Sequence, residues 1–339
     1  MPTLSDVARR AGVSVSVVSR IMNADPQLRV RPDTRERVLR IAEQMNYTVN
    51  FAGRALRLSR SGALALVVPD VNNAIFAELL RGVEDEADRA NYIVLLGRAE
   101  RIQPCDDMLR RLVGEGRVDG ALLQRRDDLD AAALRQLVEH EIPVVQVNSA
   151  APRLSTVGSS VTLDDVAGAE LATRHLVELG HRRIGMLSGV RTSDTARRRE
   201  EGFRRALHAA GLRRRAEWLR QLGYTAESGR EALSQVMSGP RRPTALVVAN
   251  VNAAIGALSA ARSLGIDVPG ELSVVAYHDD WVAEHTWPPL TAVRMPLYEM
   301  GRAAVQALLR QLSGEPRTDT VVTEPGPVLT VRASTAPPG

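Results

Sequence analysis

The amino-acid sequence predicts two unlike parts, an N-terminal all-α domain of three helices and an α/β core of two doubly wound parallel-sheet subdomains. Three observations lead to this prediction. The first 60 residues hold 11 Arg and 5 acidic residues, whereas the remainder holds 33 Arg and 35 acidic residues. The apolar residues of the first 60 residues have helical spacing, with a glycine between the first two helices. Beyond them, short apolar runs alternate with amphipathic stretches.

The first helix is expected from about Leu4 to Ala11. Thr3 followed by Asp6 has the spacing of a capping box, in which cap and acid satisfy each other's backbone donors. Gly12 can end the helix, because glycine readily adopts positive φ. A net positive segment that begins this way is typical of a nucleic-acid-binding module, although a basic surface without a partner would have the same charge.

The stretch Gly12–Asn23 alternates valine with serine, and this period of two taken alone favours a strand. Its neighbours favour a helix, because Ser14 can cap it and Val13, Val18, Ile21 and Met22 would then face a core. Helix, short turn and helix form a helix-turn-helix, whose second helix enters the DNA major groove. The candidate DNA-binding residues of this segment are Thr3, Ser14, Val15, Ser16, Ser19, Arg20 and Asn23.

Arg20 is the one long side chain expected on the outward face of the second helix. An Arg can donate two hydrogen bonds to guanine, so Arg20 is a candidate base reader, with a phosphate contact or an exposed charge as the alternatives. A third helix, from Pro32 to Met45, is expected to complete the core. Its apolar residues are Val38, Leu39, Ile41, Ala42 and Met45.

Two segments, LSDVARRAGVSVSVVSRIMN and VRPDTRERVLRIAEQMNY, resemble the DNA-binding domain of the lactose-repressor (LacI/GalR) family. The following NFAGRALRLSR resembles that family's hinge helix, which inserts a leucine into the minor groove of operator DNA. Leu56 matches this leucine, with Arg54 and Arg57 beside it, and an apolar wedge between cations can kink a base step. The alternative is a linker helix that packs Leu56 on the core. Val49 stands where the family usually has proline.

In the remainder, the apolar runs ALALVVP, YIVLLG, VDGALLQ and PVVQVN are separated by helical patterns at 75–90, 104–114 and 129–140. The same rhythm restarts with RRIGMLSG, PTALVVA and LSVVAYH, with helices expected near 164–179, 194–211, 226–237 and 252–264. Two such series predict two α/β subdomains, with a ligand near the carboxyl ends of the strands or in the cleft between them.

This core resembles the effector-binding core of the same family, which is periplasmic-binding-protein-like (type I). Stretches such as PDVNNAIFAELLRGVEDEA, LDDVAGAELATRHLVELGHRRIGMLSG and DVPGELSVVAYHDD carry the resemblance. It implies a DNA-binding domain at 1–49, a hinge at 50–60 and an effector-binding and dimerisation core at 61–339. The chain would cross between the two subdomains near 160, 290 and 320. The N-subdomain would then hold 61–160 and 291–320, and the C-subdomain 161–290 and 321–339.

By the same resemblance, the effector contacts are Phe76, Asn148, Arg199, Tyr224, Asn250 and His278, with Asp70 and Asp279 adjacent. Aromatic rings can stack on a ligand ring, and Arg199 offers a planar fork to hydroxyls or a carboxylate. Arg199 could instead be a surface helix charge, Phe76 a core residue and His278 a loop histidine. Asn148 and His278 stand where the family often has Asp, which favours an anionic or amide-bearing ligand over a plain sugar.

The resemblance implies a transcriptional regulator, expected to be a repressor, that binds a pseudo-palindromic operator in double-stranded DNA as a homodimer. A small polar effector, a sugar or related metabolite, would control its affinity, and helices near 75–90 and 255–265 would form the dimer surface. The alternative is a periplasmic-type small-molecule binding protein without a regulatory role. Because the N-terminus has no apolar signal core and no run is long enough to span a bilayer, we expect a cytoplasmic protein.

Enzymes are not expected from this sequence. All 44 basic residues are Arg, which excludes a P-loop and a Schiff-base lysine. The first apolar run continues into DVNNAIF, not into a G-x-G-x-x-G loop, and no G-x-S-x-G elbow occurs. The six His are scattered, and Cys105 is the single cysteine. We therefore expect no catalytic residue, no metal site and no cofactor.

Overall fold

The structure is a computed structural model, and it describes residues 2–22, 25, 27–47, 60–71, 73, 75–98, 115–124, 142–149 and 159–339. The chain divides into two compact units, Met1–Ser61 and Gly62–Gly339. The helices expected at 104–114 and 129–140 lie outside the described residues. None of the described helices combines the length and apolar character that crossing a membrane requires.

The first unit contains three helices, α1 (Leu4–Ala11), α2 (Val15–Met22) and α3 (Pro32–Gln44). The capping box of α1 is present, since Thr3 Oγ1 accepts from Asp6 N and the Asp6 carboxylate accepts from Thr3 N at 3.0 Å. Ser14 Oγ accepts from Val17 N at 3.3 Å, so the valine and serine stretch begins a helix, as its neighbours predict.

The core of this unit lies between the three helices. Its buried apolar residues are Val7, Ala8, Ala11, Val18, Ile21, Val38, Ala42 and Tyr47. Leu39 lies outside this core, since it is 46% exposed. Val38 and Ala42, four residues apart, share the inward face of α3, and Leu39 is rotated about 100° away from Val38.

The first sheet of the larger unit has six parallel strands in the order β11-β5-β4-β3-β1-β2. The strands are β1 (Ala63–Val68), β2 (Ile93–Arg98), β3 (Gly120–Leu123), β4 (Val144–Val147), β5 (Ser159–Leu163) and β11 (Thr320–Val322). Two helices that pack against each other cover it, α4 (Ile75–Arg89) and α10 (Leu297–Leu312).

The second sheet has the order β12-β10-β9-β8-β6-β7, in which only the β10–β12 pair is antiparallel. Its strands are β6 (Ile184–Ser188), β7 (Leu219–Gln221), β8 (Ala245–Val248), β9 (Ser273–Tyr277), β10 (Thr291–Arg294) and β12 (Val328–Thr330). Its helices are α5 (Asp165–Glu178), α6 (Asp194–Ala209), α7 (Ala226–Met237), α8 (Val251–Ser263) and α9 (Trp281–Glu284).

Buried residues of α5 and α6 belong to one apolar core and those of α7 and α8 to another, so helices cover both faces of the second sheet. This arrangement confirms the predicted pair of doubly wound subdomains. The chain passes from the first sheet to the second after β5, returns between β10 and α10, and passes again between β11 and β12. Each crossing lies a few residues beyond 160, 290 and 320, because the strand before it is completed first.

Candidate functional site

The outward face of α2 is the candidate DNA-contacting surface of the first unit. Val15 and Ser16 are exposed, whereas Ser19 and Arg20 are half-buried. Thr3 and Ser14 are helix caps, so each hydroxyl already accepts a backbone hydrogen bond. Arg20 Nε donates to Asp25 Oδ2 at 2.8 Å, a contact that the sequence did not suggest. The other DNA-binding candidates, Asn23, Arg54, Leu56 and Arg57, lie outside the described residues.

In the larger unit, a cavity of about 520 Å³ lies where the carboxyl ends of both sheets meet. Gln124 and Asn148 directly follow β3 and β4 of the first sheet, and His278 directly follows β9 of the second. Seven of the eight predicted effector residues line this cavity: Asp70, Phe76, Asn148, Arg199, Tyr224, Asn250 and His278. Strand ends therefore bring together residues that are distant in sequence.

Two of these residues turn the chain sharply at the end of their strand. Asn148 has φ 56° and His278 has φ 64°, in the left-handed region that asparagine tolerates better than most side chains. Both are buried. Thr195 Oγ1, at the start of α6, donates to Asn148 O at 2.8 Å, which joins the second subdomain to the first at the cavity wall.

Arg199 enters the cavity wall from α6 with its charge already compensated. It is only 2% exposed, and its Nε donates to Asp165 Oδ1 at 2.8 Å and its Nη1 to Ala249 O at 2.6 Å. Its guanidinium carbon lies 4.2 Å from the centre of the Tyr277 ring. Burial is the largest effect and lowers the pKa of Arg199, but the Asp165 carboxylate, Tyr224 and Tyr277 together outweigh it, so the pKa lies above its ordinary value. Arg199 is therefore not a surface charge.

His278 is held in its neutral form. Burial, together with the adjacent Arg199 charge, keeps the pKa of His278 well below its ordinary value. Arg199 Nη2 lies 2.8 Å from His278 Nε2, and because a guanidinium only donates, Nε2 must accept and the ring proton must be on Nδ1. His278 Nδ1–H is then a donor with no hydrogen-bond partner among the described residues.

Four lining residues have a buried polar atom that lacks a hydrogen-bond partner within the described part of the chain: Gln124 Oε1, Asn148 Oδ1, Asn250 Nδ2 and His278 Nδ1. The amide orientation of Asn250 is fixed, because its Oδ1 accepts from Ala253 N at 2.8 Å as the cap of α8. Buried polar groups are nearly always hydrogen-bonded in native proteins. These two acceptors and two donors thus mark where a polar ligand would be held.

The cavity is also lined by one aromatic side chain from each subdomain. Phe76 is buried in the first subdomain, and the Tyr224 hydroxyl lies 2.8 Å from Ser193 Oγ in the second. A Cβ added to Gly189 would lie 2.2 Å from the Tyr224 ring, so only glycine there allows the ring its position. Two rings and a set of hydrogen-bonding groups suit a flat or cyclic polar molecule.

Two contacts in the folded chain bear on expectations about the cavity. Asp279 does not line it, because its carboxylate pairs with Arg332 Nη1 at 2.7 Å and accepts from Thr330 Oγ1 at 2.7 Å. The expected preference for an anionic ligand depended on the Arg199 charge, which Asp165 offsets. The other charged residues of the described lining, Asp70 and Asp194, are acidic.

The sequence prediction also missed several lining residues, namely Asn73, Gln124, Ser149, Thr192, Ser193, Thr195, Thr225 and Ser228. Gln124 could have been found, since it ends the predicted run VDGALLQ and ligands gather at strand ends. The serines and threonines lie in loops and helix starts, where such residues are common as caps. No group of side chains suited to a metal ion occurs among the described residues.

Comparison with known proteins gives two family matches. Residues 3–50 match the model described as bacterial regulatory proteins, lacI family, and residues 173–335 match the periplasmic binding protein-like domain. The HTH-type transcriptional regulator DegA of Bacillus subtilis is 31% identical, over 99% of this chain and 98% of its own. The HTH-type transcriptional repressor CytR of Escherichia coli is 32% identical, over 92% of this chain and 90% of its own.

Solved structures are similar over most of the chain. A LacI family transcriptional regulator from Mycobacterium smegmatis is 47% identical, with a TM-score of 0.76 over 81% of this chain and 100% of that one. The regulator CelR in complex with cellobiose is 30% identical, with a TM-score of 0.72 over 98% and 100%. The lac repressor dimer bound to operator and the anti-inducer ONPF is 25% identical, with a TM-score of 0.81 over 99% of both chains.

Proposed function

Because this chain belongs to the LacI family of bacterial regulatory proteins, we propose that it represses transcription by binding a pseudo-palindromic operator as a homodimer, with an affinity set by a small neutral polar ligand. The observation that carries the proposal is the pairing, in one chain, of a helix-turn-helix with a cavity in which four buried polar atoms lack a partner among the described residues. In this proposal, residues 1–49 bind DNA, residues 50–60 form a hinge, and residues 61–339 bind the ligand and form the dimer.

The DNA-binding part of the proposal rests on the surface of α2. A two-fold dimer presents two such helices, and two-fold symmetry in the protein favours inverted half-sites in the DNA. Short outward residues such as Val15 and Ser16 permit a close approach to base edges, and Arg20 adds one long donor. Leu56, flanked by Arg54 and Arg57, would be the minor-groove wedge.

The ligand part of the proposal rests on the charge balance of the cavity. Asp165 and Asp194 together compensate Arg198 and Arg199. The donors and acceptors that lack a partner among the described residues then favour a neutral molecule rich in hydroxyl groups, such as a sugar or a related metabolite. A solved relative, CelR, is in complex with cellobiose. The known relatives are transcriptional regulators, and we assign no catalytic residue to the cavity.

Operator binding is tested by selecting bound duplexes from a random DNA pool with the purified full-length chain at moderate salt. We expect an inverted repeat with a flexible central step, and weaker binding of that repeat by Leu56→Ala. Leu39→Ala is the matched control, since it shortens an exposed leucine of the same unit. Salt-sensitive binding without any consensus, with and without ligand, would contradict the proposal and leave the ligand-binding protein without a regulatory role as the better interpretation.

Ligand binding is tested by calorimetry with a panel of neutral sugars, nucleosides, sugar phosphates and sugar acids, followed by operator titration with each binder. We expect neutral compounds to bind and to change operator affinity. Binding by phosphorylated or acidic compounds alone would contradict the neutral-ligand assignment.

A further inference from the structure

An acidic side chain beyond the end of the recognition helix α2 holds the guanidinium of Arg20. Arg20 Nε donates to Asp25 Oδ2 at 2.8 Å, and the two residues are also linked through the backbone, since Asp25 N donates to Arg20 O at 3.0 Å. Both side chains are partly exposed. An exposed ion pair adds little to the free energy of folding, so stabilisation of the domain does not account for this contact.

Asp25 is itself fixed in place by the turn that follows it. Its second carboxylate oxygen, Oδ1, accepts from Gln27 N at 2.8 Å, and its carbonyl oxygen accepts from Leu28 N at 3.2 Å. One oxygen is therefore committed to the backbone, and the other faces Arg20. Because the backbone fixes the carboxylate, the carboxylate determines where the guanidinium lies.

This contact uses one edge of the guanidinium. The Nε–H is engaged, which leaves the two terminal nitrogens, Nη1 and Nη2, as parallel donors, and within the described residues neither makes a hydrogen bond. A pair of parallel donors matches guanine O6 and N7. A flexible Arg would lose several rotamers on binding guanine, whereas an Arg already held by Asp25 loses fewer.

We propose that Asp25 is a positioning residue that determines base specificity, by holding Arg20 so that its terminal nitrogens meet a guanine end-on. This inference rests on the proposed DNA-binding function. It also implies a trade-off, because the Asp25 carboxylate adds a negative charge near the DNA backbone. Asp25 should weaken binding to any sequence while it sharpens the choice of base at one position.

The test uses the full-length chain and its selected operator, with duplexes in which each guanine of both half-sites is replaced in turn. Dissociation constants are measured by fluorescence anisotropy for the wild type, Arg20→Ala, Asp25→Asn and Glu36→Gln. Asp25→Asn keeps an oxygen that can accept from Gln27 N and removes the charge. Glu36→Gln removes one exposed acidic charge from the same unit without touching Arg20.

Arg20→Ala should identify one base pair whose replacement no longer matters. At that base pair, the ratio of the dissociation constants for the replaced and the original duplex should be about tenfold smaller for Asp25→Asn than for the wild type. The affinity of Asp25→Asn for random DNA should rise. Glu36→Gln should raise affinity for random DNA and keep full discrimination. Full discrimination at the other guanines shows that the Asp25→Asn domain is folded.

Three results would overturn the inference: undiminished discrimination by Asp25→Asn, an equal loss at every position, or no single base pair assigned by Arg20→Ala. These results are distinct from failure of the proposed function, in which the wild type itself selects no consensus.

Discussion

At the scale of single residues, Asn250 uses the two ends of one amide for different purposes. Its Oδ1 caps α8, and its Nδ2 is a buried donor at the cavity without a partner among the described residues. Asn250→Asp keeps the cap, because aspartate caps as well as asparagine and suits a helix N-terminus. A carboxylate cannot donate, so we expect ligand affinity to fall about tenfold or more while the chain stays folded.

Calorimetry with a ligand identified from the panel, together with thermal unfolding, checks this expectation. The control is Asp164→Asn, the reverse exchange at the cap of α5, where Asp164 Oδ1 accepts from Ala167 N at 2.9 Å away from the cavity. It should leave ligand affinity unchanged. Full affinity in Asn250→Asp would mean that Nδ2 does not contact the ligand.

His278 gives the core a pH dependence whose sign follows from its pKa. The folded chain holds the pKa of His278 well below its ordinary value of 6.5, so below that pH the unfolded chain binds a proton that the folded chain does not. As the pH is lowered below about 6.5, the free energy of unfolding should therefore decrease, by up to about 1.4 kcal/mol per pH unit for this group.

Urea denaturation between pH 7.5 and 5.0 measures this slope, and His278→Asn is the comparison, since asparagine tolerates the positive φ at this position. The variant should show the smaller slope. The pKa values of His175 and His181 are also lowered, mainly by burial, but both remain in the variant and cancel in the difference. Equal slopes would exclude a neutral, buried His278.

At the scale of elements, α7 and α8 pack closely because each presents a glycine to the backbone of the other. A Cβ added to Gly256 would lie 1.8 Å from Ala226 O, and one added to Gly229 would lie 1.9 Å from Ala253 O. Gly256→Ala must push the helices apart, which we expect to cost about 2 kcal/mol or more in unfolding free energy. Because Asn250 caps α8, ligand binding should weaken as well.

Gly239→Ala is the matched control in denaturant unfolding, since the nearest atom to its added Cβ would be Val236 O at 3.8 Å. It should change unfolding free energy by less than about 0.5 kcal/mol. If both variants unfold at the same denaturant concentration, the close contact between α7 and α8 is not present in solution.

The sequence predicts elements well where their signals are local. Thr3, Asp6, Gly12 and Ser14 are caps or breaks within a few residues of the helices they bound, and the bounds of α1 agree with prediction. Strands β5, β7, β10, β11 and β12 were not anticipated from their own apolar runs, because they are short and several begin with serine or threonine. They form by pairing with distant strands, which no local pattern records.

At the scale of the whole molecule, the same limit applies to the cavity. Strand ends and the family resemblance place seven lining residues, but the counter-ion of Arg199 is Asp165, which comes from the first residue of α5, after the chain crosses between sheets. Only the folded chain brings that carboxylate to α6. The charge of the cavity, and with it the ligand class, therefore depends on a tertiary contact and could not be predicted from lining residues alone.

Two of the three tryptophans are exposed on the second subdomain. Trp281 is 72% and Trp287 is 88% exposed, whereas Trp218 is 4% exposed. Aromatic residues are enriched in protein interfaces, and the solved lac repressor is a dimer. The sequence favoured the helices near 75–90 and 255–265 for this surface, and within the second range Ser259 and residues 262–265 are exposed as well. We therefore predict that Trp281 and Trp287 lie in the dimer interface.

Trp287→Ala should raise the dimer dissociation constant at least tenfold, measured by sedimentation or mass photometry on the full chain. Dilution of the wild type should also shift tryptophan emission to longer wavelength, because Trp281 and Trp287 become hydrated while Trp218 stays buried. Val321→Ala is the control, since it trims an apolar side chain that is 56% exposed on the edge strand β11 of the other sheet. An unchanged dimer in Trp287→Ala would place the interface elsewhere. If the interface is correct, operator binding should weaken at low protein concentration, because a monomer reaches only one half-site.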